Sequence, residues 1–473
     1  MIRCDLSLTP AALRPLVDRA AALATDKARL LRRSWNPSQG APVFTVGGAY
    51  TARGWTEWTQ GFQFGFALYA FELTGAEDLL EYARGETVAR MAGHVTHTGV
   101  HDHGFNNVST YGNLLRLAVE GRIAAAAWER SFYEIALKAS GAVQAARWTP
   151  LPGDLGYIHS FNGPHSLFSD TIRSLRALVA AHLLGHTLMG EQDIRINLLR
   201  RALQHAETTS RWNVYFGTER DIWDVRGRVA HESIFNTTSG AYRCPSTQQG
   251  YSPFSTWTRG LSWILLGYAE QLEFLASAEA TEIAGLGFAP MPDKSSAIAR
   301  FLQTAEAAAD FFIENTPTDG IPYWDTGAPG LARMGAWADR PAEPFNDFEP
   351  VDSSAATIAA QGLLRLAAFL ECPAAPLGAG EKAARYRAAG LCVARTLFSA
   401  PYLSEDAAHQ GMILHSVYHR PNGWDAVPAG RRVPCGESSM WGDYHAIELA
   451  AYLDRAARGA PPLRFFTIRE DLA

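Results

Sequence analysis

The chain has 473 residues, about three times the usual length of a single domain, so its length alone allows up to three domains or one large barrel. Hydrophobic residues make up 47% and charged residues 19% of the chain, which argues against intrinsic disorder and indicates a large buried core. The formal net charge is -6 and no Lys/Arg-rich block occurs, which argues against nucleic acid or an anionic membrane as a partner.

The cysteines and the N-terminus bear on the cellular compartment. The five cysteines are far apart and form no CxxC motif, so they indicate neither a disulfide framework nor a thiolate metal site. The first residues lack the basic and apolar regions of a signal peptide, and no stretch approaches the ~18 consecutive apolar residues of a membrane span. We therefore expect a cytoplasmic protein, or one that lacks its own export signal.

Apolar residues recur at intervals of three and four along most of the chain, which is the helical period. Capping residues support several helix ends, with Thr9-Pro10 and Asp352-Ser353 at starts and Gly75 and Gly121 at ends. The pattern predicts twelve helices, over residues 10–33, 61–74, 76–94, 106–119, 122–140, 167–185, 190–211, 256–274, 293–314, 353–370, 380–397 and 442–456.

One extended segment interrupts the helices. Residues 212–216 and 224–235 are rich in aromatic and β-branched residues and predict a short β-hairpin. The helix spacing is too irregular for a solenoid. Six helix pairs with long, irregular connections instead predict an all-α fold, an (α/α)6 barrel of six helical hairpins with the β-hairpin as an insertion. No change in composition divides the chain, so we expect a single domain over residues 1–473.

Many of the 13 Trp, 16 Tyr and 23 Phe residues lie in loops rich in glycine and polar residues, as in the run from Trp55 to Phe62 that contains Trp58. Aromatic rings in such loops can stack on the apolar faces of sugars. For any one Trp, a place in the core at a helix end is an equally good interpretation.

The run from Gln249 to Trp263 contains the strongest combination of residue types. If a helix begins near Thr256, Arg259 and Trp263 are four residues apart on one face, with a guanidinium beside an indole. Such a pair suits an anionic sugar, whose ring would stack on the indole and whose carboxylate would pair with the guanidinium. The alternative is that Arg259 pairs with a structural aspartate.

Two aspartates, Asp102 and Asp170, lie near predicted helix starts. At the rim of a barrel, partial burial would raise the pKa of such a carboxyl group and make it a competent general acid. For Asp170, a helix N-cap without a catalytic role is an equally good interpretation.

Four histidines, His94, His97, His101 and His103, crowd the segment around Asp102. A metal site is one interpretation, although their spacing matches no standard zinc signature. Histidines that bind a sugar through hydrogen bonds are the simpler interpretation, and we expect no metal.

Together, these residues resemble the unsaturated glucuronyl hydrolases of glycoside hydrolase family 88, with the related unsaturated rhamnogalacturonyl hydrolases of family 105 as the second choice. The order of the motifs, and the internal spacing of the run from Trp257 to Trp263, make the resemblance specific. The matching residues are Trp58 to Phe62, His101 to Phe105, Asp170, His231, Gln249 to Trp263, Ile321 to Asp325, Val351 to Ala356 and Gly442 to Tyr444.

The resemblance implies an (α/α)6-barrel glycosidase that acts on oligosaccharides ending in an unsaturated uronate. It implies that Asp170 is the acid/base and Asp102 the second carboxylate, with no metal or organic cofactor. The substrate-binding residues that it implies are Trp58, His231, Gln249, Trp257, Arg259 and Trp263. We expect a monomer or a small homo-oligomer.

The chain departs from the family pattern at several positions. Arg173 and Ser174 follow Asp170 where the family has an apolar stretch ending in Asn, and the segment from Asp170 to His231 is longer than the family norm. Glu437 lies in a loop that can contact the neighbouring sugar and would repel a sulfate, so we expect a preference for unsulfated substrates.

Two other functions remain open at this point. A sugar 2-epimerase or isomerase on the same barrel would use a histidine pair, for which His231, His409, His415 and His419 are candidates. A sugar-binding protein that lost its acid is the non-enzymatic alternative.

Overall fold

The computed structural model describes residues 1–54 and 57–472, most of them in helices. The helices are α1 Arg14–Ser34, α2 Gln60–Thr74, α3 Glu77–Arg90, α4 Ala92–Val95, α5 His103–Asn106, α6 Asn113–Val119, α7 Ala127–Ala146, α8 Thr171–Ser174, α9 Arg176–Leu183, α10 Leu198–Asn213, α11 Thr258–Ser277, α12 Ala280–Gly285, α13 Lys294–Glu314, α14 Ser353–Leu370, α15 Gly380–Leu397 and α16 Met440–Arg458. A π-helical turn, Val108–Gly112, joins α5 to α6.

The main helices form two concentric rings. The inner ring consists of α2, α5 with α6, α8 with α9, α11, α14 and α16; each packs on the next, and α16 packs on α2 to close the ring. The outer ring consists of α1, α3, α7, α10, α13 and α15, each packed on neighbouring inner helices. The chain alternates between outer and inner helices throughout. This arrangement confirms the predicted all-α (α/α)6 barrel.

The inner helices are buried on nearly every face, as expected of helices that are apolar all round. Their close contacts depend on small residues: a Cβ on Gly362 of α14 would lie 2.9 Å from the backbone nitrogen of Leu266 in α11. The helix α14 has the length and mean hydropathy of a membrane span, but it is 94% buried among the other helices, as a core helix is.

The helix predictions agree with the structure where apolar periodicity and caps coincide. The predicted bounds of α14 and α15 are confirmed to the residue. The prediction of a helix from residue 167 was wrong at its start, because Ser166–Phe168 forms a strand, β5, and the helix begins at Thr171. The predicted 122–140 helix begins late, at Ala127, where the Glu129 carboxylate accepts a hydrogen bond from the Ala126 amide.

The predicted β-hairpin is present but shorter than expected. Backbone hydrogen bonds join Tyr215 to Arg228 and Ala230 to Asn213 in a short ribbon. Its second arm continues into β8, Glu232–Phe235, which pairs with β5 on one side and with β9, Tyr242–Ser246, on the other.

Extended structure also occurs outside the predicted segment, which corrects the expectation of a single one. Three two-stranded sheets are short enough to leave no alternating pattern in the sequence. They pair β1 Phe44–Val46 with β2 Ala49–Thr51, β3 Trp148–Leu151 with β4 Leu155–Ile158, and β6 Leu188–Met189 with β7 Arg195–Ile196.

All inner helices begin at the same end of the barrel, because each is separated from the next by one outer helix. Several candidate site residues immediately precede these helix starts: Asp102 precedes α5, Asp170 precedes α8 and Trp257 precedes α11. The topology therefore brings residues that are far apart in sequence to one end of the barrel, here called the cavity end.

Candidate active site

A cavity of about 360 Å³ opens at the cavity end. Seven of the eight residues predicted to form the site line it: Trp58, Asp102, Asp170, Gln249, Trp257, Arg259 and Trp263. The eighth, His231, lies behind the wall, with its ring centroid 4.6 Å from the ring centroids of both Trp257 and Phe168. Trp55 and Thr56 of the aromatic run lie outside the described residues.

The two carboxylates are joined by a histidine that the sequence analysis did not assign. The Nε2 atom of His101 lies 3.6 Å from Oδ1 of Asp102 and 3.6 Å from Oδ1 of Asp170. All three side chains are buried. Among the described residues, neither ring nitrogen of His101 has a hydrogen-bond partner, and neither has Oδ1 of Asp170. The three side chains are therefore held together by charge, and all three lie in the wall of the cavity.

This geometry separates the proton affinities of the two carboxyl groups. Burial raises the pKa of Asp102. Burial would also raise the pKa of Asp170, but His101 and His231 outweigh it and lower that pKa. Burial lowers the pKa of His101, but Asp102 and Asp170 outweigh it and raise that pKa. The expected raised pKa is therefore correct for Asp102 and wrong for Asp170, because His101 lies beside the Asp170 carboxylate.

The alternative role of Asp170 as a helix cap has no support in its geometry. Asp170 occupies the residue before α8, but its side chain makes no capping hydrogen bond there. Its backbone φ and ψ angles of -72° and -24° are helical, whereas capping residues usually adopt extended angles. The carboxylate faces the cavity instead.

Ser174, one of the departures from the family pattern, joins the segments that carry Asp102 and Asp170. Its Oγ donates a hydrogen bond to the carbonyl of His101 at 2.6 Å and accepts one from the amide of Gly104 at 2.9 Å. Gln144 donates to the same carbonyl and to the same Oγ, both at 2.8 Å. Because Ser174 lies one helical turn after Asp170, these bonds fix the position of the Asp102 loop relative to Asp170.

Arg259 lines the cavity, but both of its terminal nitrogens already donate hydrogen bonds to other groups of the protein. One of them pairs with Asp352 at 2.7 Å and also donates to the carbonyl of Val417. The other donates to Gln249 Oε1 at 2.8 Å and to the Tyr418 carbonyl at 2.7 Å. In this conformation the guanidinium has no free fork for a bidentate carboxylate. It still supplies positive charge to the cavity wall. The alternative considered from the sequence, that Arg259 pairs with a structural aspartate, also holds, and that aspartate is Asp352.

His231 positions the loop that carries Gln249. Its Nδ1 accepts hydrogen bonds from the amides of Gln248 at 3.0 Å and Gln249 at 3.3 Å, so the ring proton lies on Nε2. Burial lowers the pKa of His231 to about 4, so the ring is neutral near pH 7. Its contribution to the site is to hold this wall.

Aromatic rings form much of the remaining wall. Trp58 stacks on Trp441 with ring centroids 5.2 Å apart, and Trp263 packs on Phe105 at 4.9 Å. Sequence analysis missed a group of lining residues from the long loop between α15 and α16. Aromatic residues in a loop rich in glycine and polar residues, the signal that pointed to Trp58, occur there too. These residues are Tyr418, Asn422 and Trp424; His419 of the same loop, considered above only for an epimerase, lines the cavity as well.

The histidine cluster disperses into separate contacts. His103 bonds Ser140 and the carbonyl of His97, while the ring of His94 contacts the Asn106 amide. Within residues 1–54 and 57–472, no group of three His, Cys, Asp or Glu side chains has the geometry of a metal site. The metal interpretation therefore gains no support from the geometry.

Glu437 does not face the substrate cavity, which corrects the argument made for it. Its carboxylate accepts hydrogen bonds from the hydroxyl of Thr45 at 2.5 Å and the amide of Gly47 at 2.8 Å, so it anchors the turn between β1 and β2. The expected repulsion of sulfate by Glu437 has no structural basis.

A barrel cavity with paired carboxylates, a buried cation and aromatic walls is the type of site that glycosidases use. No protein-family model matches the chain. An unsaturated glucuronyl hydrolase of Bacillus sp. (strain GL1) is 26% identical over 417 residues, covering 85% of this chain and 88% of the relative. An unsaturated chondroitin disaccharide hydrolase of Streptococcus agalactiae serotype III is 23% identical over 405 residues, covering 83% of this chain and 80% of the relative.

The solved structures agree with this result. The crystal structure of the unsaturated glucuronyl hydrolase from Bacillus sp. GL1 superimposes with a TM-score of 0.68 at 23% identity, covering 94% of this chain and 97% of that chain. An unsaturated glucuronyl hydrolase described as specific for heparin gives a TM-score of 0.67 at 22% identity, over 94% and 97% of the two chains. The resemblance is confirmed: the chain is a glycoside hydrolase related to the unsaturated glucuronyl hydrolases.

Proposed function

We propose that this enzyme releases a terminal Δ4,5-unsaturated uronic acid from oligosaccharides that a polysaccharide lyase has produced. The observation that carries the proposal is the cluster of Asp102, His101 and Asp170 in an aromatic cavity. The printed activities of the relatives support it, as does a neighbouring structure from Streptococcus agalactiae that is complexed with dGlcA-GalNAc6S.

The proposed reaction is hydration of the C4=C5 double bond, which forms an enol ether with the ring oxygen. A carboxyl group protonates C4, and positive charge develops at C5 and is shared by the ring oxygen. The resulting carboxylate then accepts a proton from the water that adds at C5. The hemiketal opens and the glycosidic bond breaks without attack at the anomeric carbon, so the usual rule on carboxylate separation in glycosidases does not apply.

Substrate binding would change the pKa values of Asp102 and Asp170. In the free enzyme the raised pKa of Asp102 and the lowered pKa of Asp170 favour a proton on Asp102. A uronate bound beside the pair adds negative charge, which raises the pKa of nearby carboxyl groups. We assign the acid/base role to Asp170, as the resemblance implies, and infer that the bound anion raises the pKa of this carboxyl group and so favours its protonated form.

Positive charge at the cavity end suits the substrate carboxylate. Arg259 lies in the wall, and the inner helices begin at this end, where their partial positive charge lies. The base of the cavity is closed: below Trp263 the ring of His445 packs at 5.0 Å, and Arg173 pairs with Glu448 at 2.7 Å. A closed base favours action on a chain end over action within a chain.

The proposal predicts loss of the ultraviolet absorbance of the C4=C5 uronate when the enzyme meets a panel of unsaturated disaccharides. Replacing the acid, Asp170→Asn, should lower kcat by a factor on the order of 10² to 10⁴, the usual contribution of general acid–base catalysis. Asp18→Asn, at an exposed carboxylate of α1, is the matched control and should keep the parent rate. No absorbance loss with any disaccharide, or full activity of Asp170→Asn, would contradict the proposal.

The histidines considered for the epimerase alternative do not come together as a pair in this cavity. Of its four candidate histidines, only His419 is among the lining residues. His409 contacts the carbonyls of Gly411 and Gly436, and His415 accepts from the Gly436 amide. No observation favours a second function over the hydrolase.

A further inference from the structure

Two stacked aromatic side chains stand exposed on neighbouring loops outside the cavity. Trp223 and Phe254 have ring centroids 5.6 Å apart with planes at 29°, yet they remain 48% and 43% exposed. Tyr251, three residues before Phe254 in the same loop, is also exposed. We call these three residues the rim platform. Clustered exposed apolar side chains of this kind mark binding surfaces more often than single ones do.

The rim platform adjoins the cavity wall along the chain. Tyr251 and Phe254 lie on the loop 250–256, which starts after Gln249 and ends before Trp257, and both flanking residues line the cavity. Three Cα steps of 3.8 Å separate Phe254 from Trp257, so their Cα atoms are at most about 11 Å apart. An oligosaccharide of a few sugars leaving the cavity can span such a distance.

The loop that carries Trp223 is ordered by its own hydrogen bonds. The Asp224 carboxylate accepts from the amides of Gly217, Thr218 and Arg220 at 2.8 to 3.0 Å. Arg228 is buried and donates to the carbonyl of Trp223 at 2.8 Å and to that of Pro253 at 3.2 Å, which ties the two loops together. Because these loops are already ordered, a ligand that binds them costs little conformational entropy.

We propose that the rim platform is a distal subsite, where a downstream sugar of the substrate stacks while the terminal uronate occupies the cavity. The apolar face of a sugar ring is the natural partner of an exposed aromatic face. This inference rests on the proposed function and deepens it: the preferred substrate is an oligosaccharide of three or more sugars. The insertion between α10 and β8 supplies Trp223 and thereby acts in substrate choice.

The test compares kcat/KM for an unsaturated disaccharide and an unsaturated tetrasaccharide of the same repeat, in the parent and in Trp223→Ala. For the tetrasaccharide, Trp223→Ala should lower kcat/KM about fivefold to tenfold, the effect of one lost aromatic stacking contact. For the disaccharide, kcat/KM should stay at the parent value. Phe254→Ala should show the same loss on the tetrasaccharide alone. Phe254→Tyr, which keeps an aromatic ring, should keep the parent values on both substrates. Equal values for parent and Trp223→Ala on the tetrasaccharide, or equal losses on both substrates, would overturn the proposal.

The matched control is Trp128→Ala. Trp128 is 70% exposed, but it lies near the start of the outer helix α7, at the end of the barrel opposite the cavity. It should leave both kcat/KM values unchanged.

A binding measurement keeps this test separate from that of the reaction. If the parent turns over no unsaturated disaccharide, the proposed function fails, and calorimetric titration with the tetrasaccharide still tests the rim platform. Weaker binding by Trp223→Ala than by Trp128→Ala supports the subsite. Equal binding by the two variants, or no binding by the parent, overturns it.

Discussion

At the scale of single residues, the protonation of the site depends on His101. Its ring lies between two carboxylates and packs on Phe161 and Phe168, with ring centroids 6.1 and 5.5 Å away. The two carboxylates, Asp102 and Asp170, favour protonation of His101. Arg147, the other charged group that faces it, opposes that protonation. The charge on His101 lowers the pKa of Asp170, whereas burial and the charge of Asp170 raise the pKa of Asp102.

The first prediction concerns the acid limb of the pH profile. His101→Asn removes the positive charge beside Asp170, which lowers the pKa of that carboxyl group in the parent. Without that charge, the pKa of Asp170 rises. The doubly protonated pair, in which both Asp102 and Asp170 carry a proton, therefore forms at a higher pH than in the parent. The acid limb of kcat/KM should therefore move to higher pH, as measured by initial rates between pH 3 and pH 8 with an unsaturated disaccharide.

The control for this prediction is another histidine of the cavity wall. His419 contacts Asn422 through its ring, and it is not within ion-pair distance of Asp102 or Asp170. His419→Asn should keep the parent position of the acid limb, whatever it does to KM. An acid limb that stays in place in His101→Asn would show that His101 does not set the pKa of Asp170.

The residue scale also shows how far sequence reasoning reaches into the site. Asp102, Asp170 and the run from Gln249 to Trp263 were found because residue types and spacing carried a chemical pattern. The bridging position of His101 was not found, because it depends on two loops that meet only in the folded barrel. For the same reason, the sequence could not decide whether Arg259 pairs with a ligand or with a structural aspartate: its partner, Asp352, is 93 residues away in the chain.

At the scale of elements, buried ion pairs join inner helices at the end opposite the cavity. Glu72 of α2 accepts from Arg116 of α6 at 2.6 Å and from Arg455 of α16 at 3.1 Å. Glu120 also pairs with both arginines. All are largely withdrawn from water, where removing one partner of an ion pair leaves an uncompensated charge.

The second prediction is that Glu72→Gln destabilises the barrel by about 3 to 5 kcal/mol at pH 7, measured by urea unfolding. Burial would raise the pKa of Glu72, but Arg116 and Arg455 outweigh it and lower that pKa from 4.5 to about 2. The stabilisation by its charge is therefore complete above pH 4.5 and is lost as the pH falls toward 2. The difference between parent and variant should shrink over that range.

A surface pair provides the comparison for Glu72. Arg14 and Asp18 on α1 are exposed and 3.8 Å apart, so Asp18→Asn should change the free energy of unfolding by less than about 1 kcal/mol. A loss in Glu72→Gln as small as in Asp18→Asn would mean that the buried network does not stabilise the closure of the ring.

Long helices could be predicted from the sequence, whereas short strands could not. Long helices such as α14 have a 3.6-residue period and a cap at Asp352, and these local signals suffice to predict them. Short strands such as β5 and β8 are three or four residues long, and what stabilises them is pairing with segments distant in sequence. A periodicity argument cannot detect pairing of that kind.

At the scale of the whole molecule, the two ends of the barrel differ in chemistry. One end presents helix starts, carboxylates and aromatic rings around an open cavity, and the other contains buried ion pairs. This asymmetry follows from the alternation of outer and inner helices, which places every inner helix start at one end. That the chain forms a single domain over residues 1–473 remains a prediction.

The central claim is that the enzyme adds water across C4=C5 and leaves the anomeric carbon unattacked. The most direct measurement is NMR spectroscopy of the reaction with an unsaturated disaccharide in D2O. We predict that the vinyl C4 proton signal disappears, that deuterium enters at C4, and that the neighbouring sugar is released in step with both. Release of a uronate that keeps its C4=C5 bond, as attack at the anomeric carbon would give, would contradict the account.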